Sequence, residues 1–120
     1  MPDSNSDNPI SLLYHALRAQ RRRLTIQILH ETEATCISTR EVARSVTSQE
    51  HGIPVGRATG EQYRNVYNAL SQTHLPTLSE ASIVIYDSKR QTISRGSNFL
   101  QAILLLSIDT AAINVIRTND

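Results

Sequence analysis

The chain has 120 residues, a single cysteine and a formal charge of +1, from 12 Lys and Arg against 11 Asp and Glu. That length suits one ordinary domain, whose core needs neither disulfide nor metal, and the lone Cys36 excludes an internal disulfide and fits a reducing cytoplasm. The start, MPDSNSDNPI, lacks the basic and apolar parts of a signal peptide. The longest apolar run, 99–108, is broken by Gln101 and Ser107 and falls short of the roughly 20 residues of a membrane span, so no membrane partner is expected.

Residues 1–9 are small, polar and acidic and read as a disordered tail. Ile10, Leu13, Tyr14 and Leu17 then recur at helical spacing behind Pro9. Leu24, Ile28 and Leu29 continue the stripe beyond Arg21-Arg22-Arg23, with a bend expected near Ala19-Gln20. After a turn at Thr32–Thr35, Cys36-Ile37 is short and β-prone, and Cys36 is expected there as a buried packing residue without redox function. Ser38-Thr39-Arg40-Glu41 forms a capping box, in which the Ser38 hydroxyl accepts from the Glu41 amide and the Glu41 carboxylate reaches back to the Ser38 amide. The helix it opens carries Val42, Ala43 and Val46 inward and leaves Arg40 and Arg44 to solvent.

His51–Gly60, with three glycines and Pro54, is a loop. A helix from near Gly60 to about His74 turns Tyr63, Val66, Tyr67, Leu70 and His74 inward. Its opposite face carries Glu61, Asn65, Asn68 and Gln72, flanked by Gln62 and Arg64. Leu75-Pro76 starts a further turn, with Leu78 and Ala81 still at helical spacing. Ile83–Tyr86 and Thr92–Ser94 form a hairpin around a polar turn. Asn98 caps a last helix over Phe99–Arg117, with Phe99, Leu100 and Leu106 inward.

The fold class is mainly α with a small β-hairpin, an α+β arrangement in the order of a winged helix-turn-helix. Residues 10–95 make the domain and 96–120 an added helix for pairing. The stretch from Tyr67 through Leu70, Thr73-His74-Leu75-Pro76, Leu78, Ala81 and Val84 to Tyr86-Asp87 narrows this further. It resembles a small winged-helix group common in halophilic archaea, in which Y-x-x-L-x-x-T-H-L-P-x-L-x-x-A-G-x-V-x-Y-D joins the third helix to the wing. Arg21-Arg22-Arg23 resembles that group's R-R-R motif, and the likeness covers about Leu17–Ser94. It departs at Ser82, where the group has a glycine that tolerates a left-handed backbone, and in a surface that is not acid-rich. The resemblance implies a transcription-regulator fold binding double-stranded DNA.

DNA reading by such a fold needs a helix in the major groove and separate contacts to phosphate. The amides of Gln62, Asn65, Asn68 and Gln72 can pair with adenine N6 and N7, and Arg64 with guanine O6 and N7. Ser88, Lys89 and Arg90 in the hairpin turn, Arg57 in the loop and Thr39 at a helix start are candidate backbone contacts. Basic hairpin tips also serve solubility, and Arg21–Arg23 can instead make internal ion pairs, with Glu31 or Glu41 as partners. His15, His30, His51 and His74 lack metal-ligand spacing, and no nucleophile–base pair or phosphate loop is legible, so neither a cofactor nor an enzyme is expected. In the last helix Ile103, Leu104, Ile108, Ala111, Val115 and Ile116 are the expected homodimer contacts. Pairing would bring two recognition helices to major grooves about 34 Å apart. The alternative is a protein-interaction module on the same scaffold without DNA binding.

Overall fold

The computed structural model describes residues 9–107. Of the tail expected over 1–9, Pro9 instead begins a helix and 1–8 lie outside the described residues, as does the helix beyond 107 with Ile108, Ala111, Val115 and Ile116. The described residues form helices α1 (Pro9–Ala16), α2 (Gln20–Glu31), α3 (Thr39–His51), α4 (Gly60–Ala69) and α5 (Leu75–Glu80), and strands β1 (Cys36–Ser38), β2 (Val84–Asp87) and β3 (Thr92–Arg95). A final helical stretch, α6, covers 99–107. The chain is thus mainly helical with a small antiparallel sheet of order β1-β3-β2.

One core joins these elements. Ile26 and Leu29 of α2, Val42 and Val46 of α3, Val66 of α4, Leu75 and Leu78 of α5 and Ile93 of β3 are all but inaccessible. Leu13 and Leu17 close it on the α1 side, and Phe99 and Ala102 close it on the α6 side. The break between α1 and α2 falls where the sequence suggests, and there the basic run turns inward. The Arg22 guanidinium donates to the carbonyls of Ala16 (2.7 Å) and His15 (3.2 Å), and Arg23 donates to those of Leu17 (2.8 Å) and Arg18 (2.7 Å). These side chains supply donors to carbonyls at and just beyond the end of α1, where helical amides run out.

Ser38 caps α3, accepting from the Glu41 amide at 3.1 Å. The Glu41 carboxylate returns to the Ser38 hydroxyl (3.2 Å) and not, as expected, to its amide. Gly52, at φ +64°, ends α3 in the left-handed conformation. Arg44 does not extend into solvent; it is half-buried and its guanidinium donates to the Gly56 carbonyl at 3.3 Å.

Helical structure does not end at His74. A π-helical turn, Leu70–His74, connects α4 to α5 without interruption. The cause is Pro76, which has no amide to give and whose ring would strike the carbonyl four residues back. Widening the preceding turn lets the Leu75 amide reach Leu70 O, and the Thr77 hydroxyl supplies Thr73 O at 2.8 Å. Ser82 then takes φ +59°, so the left-handed turn expected of glycine is kept despite the side chain. Gly96 packs directly over this turn: a Cβ there would collide with Ser82 O.

In α6 the inward residues are Phe99 and Ala102, with Ile103 half-buried against the core. Leu100, expected inside, is 66% exposed, and Leu104 is 53% exposed on the same side one turn later. The Asn98 side chain donates to Ala81 O at the end of α5 (3.1 Å) instead of capping its own helix.

Candidate nucleic-acid interface

α4 is anchored by Val66 and Leu70, both buried, and by Tyr63 and Tyr67, half-buried with ring centroids 6.0 Å apart. That anchoring leaves Glu61, Gln62, Arg64, Asn65, Asn68 and Gln72 exposed. Glu61, Asn65 and Asn68 follow one another by four and three residues and so lie along one line of α4, and Gln72 is exposed in the π turn that follows. Their side chains make no hydrogen bond to the protein among the described residues. Two amides outside this face are used internally: Gln91 bonds Ser88 O (2.9 Å) and Tyr86 Oη (3.1 Å), and Asn98 bonds Ala81 O.

The hairpin turn is held by Asp87, whose carboxylate accepts from the Lys89 and Arg90 amides, each at 3.1 Å. Gln91, at φ +53°, completes the reversal. Ser88, Lys89 and Arg90 project from it fully exposed. Arg57 is exposed in the 3-10 turn Val55–Arg57, which packs on α3 just ahead of α4.

Thr39 does not fit the expected phosphate contact. Its side chain is fully buried, and its amide donates to Gln91 O at 3.0 Å. That bond instead reveals a residue that sequence reasoning left as plain solvent surface. Ser38, Thr92 and Asp87 pair in one row across the sheet, so α3 starts at the same end as the hairpin turn. Arg40, exposed in the first turn of α3, therefore stands at the Lys89-Arg90 end. The pairing of β1 with β3 makes this neighbourhood, and no local pattern announces it. Two carboxylates share the region, each held by a local bond: Glu41 to Ser38 and Asp87 to the turn.

Several other basic residues are structural. Arg21 makes a two-point ion pair with Glu50 (2.7 and 3.0 Å), not with Glu31 or Glu41. Arg95 donates to the carbonyls of Leu29, Thr32 and Ala34 at the end of α2, and its guanidinium lies 5.6 Å from the Phe99 ring centre. Arg22 Nη1 meets His74 Nδ1 at 3.0 Å, so Nδ1 carries the lone pair and the ring is neutral. Burial, then the charges of Arg22 and Arg21, lowers the His74 pKa against a weaker upward pull from Glu50. Cys36 is exposed, contrary to expectation, because at the first position of β1 its side chain faces away from Ile37's core side. Among the described residues no group of His, Cys, Asp and Glu has metal-site geometry, and no helix is long and apolar enough to cross a membrane.

No curated protein and no solved structure matches the chain. Residues 14–94 match the family described as a domain of unknown function, DUF7344. With α2 to α5, β1, β2 and the exposed α4 face inside that span, which covers more than half of the chain, the chain belongs to the DUF7344 family.

Proposed function

We propose that this protein is a winged helix-turn-helix regulator that binds double-stranded DNA as a homodimer. In this reading α3 and α4 are the helix-turn-helix, α4 enters the major groove and the β2–β3 hairpin is the wing. The observation that carries it is the free polar line of α4. Several amides and one guanidinium face outward on a helix fixed to the core by its other side, with no internal use for their hydrogen-bonding groups. Arg40, Lys89 and Arg90 supply phosphate contacts at one end of the sheet, and Arg57 a further one beside α4. The exposed aliphatic side chains of α6, Leu100 and Leu104, lie on a different element, which leaves α4 to DNA and gives α6 to self-pairing.

Binding of the full chain to random-sequence duplex, followed by fluorescence anisotropy at rising salt, tests this. Affinity should fall steeply as counterion release loses its advantage. Folded protein that leaves duplex DNA unbound at low salt refutes the reading.

A further inference from the structure

The order of side chains along α4 carries more than a capacity to bind DNA. Asn65 and Asn68 on α4 and Gln72 in the π turn beyond it present three exposed amides, with the Arg64 guanidinium on the neighbouring row one turn before Asn68. In the major groove an amide donates to N7 and accepts from N6 of adenine, and no other base offers that pair of groups. Glu61 continues the line at the helix start. A carboxylate only accepts, so it suits the N4 amino group of cytosine and is repelled by the acceptors of guanine and by phosphate. From residue 61 to residue 69 α4 advances about 12 Å and the π turn carries Gln72 further, a reach of about five base pairs at about 3.4 Å each.

We infer that each half-site is a run of about five base pairs with an A·T core read by Asn65, Asn68 and Gln72 and a C·G pair at the end facing Glu61. This rests on the groove-binding reading of α4. Glu61 then has a function beyond favouring the positive end of its own helix: it sets the edge of the site.

Selection from a random duplex library with the full chain, at low salt, should enrich this pattern. Replacing a contacted adenine by 7-deazaadenine removes N7 while keeping the base pair, and should weaken binding about tenfold. Glu61→Gln should abolish the preference for cytosine at the edge and leave the core preference and the circular dichroism spectrum unchanged. A G·C core, undiminished affinity for the deaza duplexes, or an edge preference that survives Glu61→Gln would each overturn the inference while leaving DNA binding intact. Recovery of no duplex at all would overturn the proposed function, and this inference with it.

Discussion

Arg22 is the side chain on which the junction of α1, α2 and the π turn depends, since one guanidinium serves Ala16 O, His15 O and His74 Nδ1. A guanidinium stays charged throughout the ordinary pH range, so His74 can accept its hydrogen bond only while neutral. The lowered pKa gives a direction to acid sensitivity. Below the ordinary value of 6.5 the unfolded chain takes up a proton that folded His74 resists. Stability should therefore be full above that value and decline as pH falls from it toward the lowered folded pKa. His74→Gln keeps an acceptor for Arg22 without a titrating group and should flatten that part of the curve. Thermal unfolding of both proteins across this range checks it; an identical acid-side slope would remove His74 from the account. Gly96 is a second single-residue dependency. An added methyl would drive into the Ser82–Ile83 backbone, so Gly96→Ala should cost about 1–3 kcal/mol by overpacking, read as a lower midpoint in urea.

At the scale of elements, the wing and α4 should separate cleanly by mutation. Lys89→Ala with Arg90→Ala should weaken binding to all duplexes alike and reduce the salt slope, whereas Asn65→Ala or Asn68→Ala should relax base preference by roughly 1–3 kcal/mol per contact. Competition with matched and scrambled duplexes distinguishes the two; a wing variant that alone altered base preference would reverse the roles. The α4 face was readable from sequence because helical periodicity assigns buried and exposed positions together, as with Val66 and Leu70 against Asn65 and Asn68. The capping box at Ser38 was readable for the same local reason. What escaped were features made by distant segments. Thr39 is buried, and Arg40 adjoins the wing, only because β1 pairs with β3. Pro76 suggested a new turn, but the preceding turn widened and kept the helix continuous. In α6 a mostly apolar sequence cannot announce its inward side, so Leu100 was assigned to the core that Ala102 occupies.

For the whole molecule, α6 has one side in the core and one in solvent over its described residues. Phe99 and Ala102 complete the core, so cutting the chain after Arg95 should expose core surface and cause aggregation, which makes deletion a poor test of pairing. Leu100→Glu with Leu104→Glu changes only the exposed face. Large apolar patches are uncommon on monomers; on the proposed pairing the native chain should scatter as a dimer at tens of micromolar and this double variant as a folded monomer. It should also lose more affinity for a two-part site than for one half-site. A native chain that is already monomeric at tens of micromolar would contradict the pairing.

Arg95 gives that arrangement a stiff joint. It ends β3, grips three carbonyls at the end of α2 and lies against Phe99 at the start of α6, so the hairpin, the helical core and α6 meet at one side chain. A pair of copies joined through α6 would then behave as a caliper with a fixed opening rather than as two readers on a tether. Inserting one base pair between half-sites shifts the second by about 3.4 Å and turns it by roughly a tenth of a helical turn. A caliper rejects that change, and Arg95→Lys, which cannot span the same carbonyls, should accept it more readily, as affinities for native and lengthened operators would reveal.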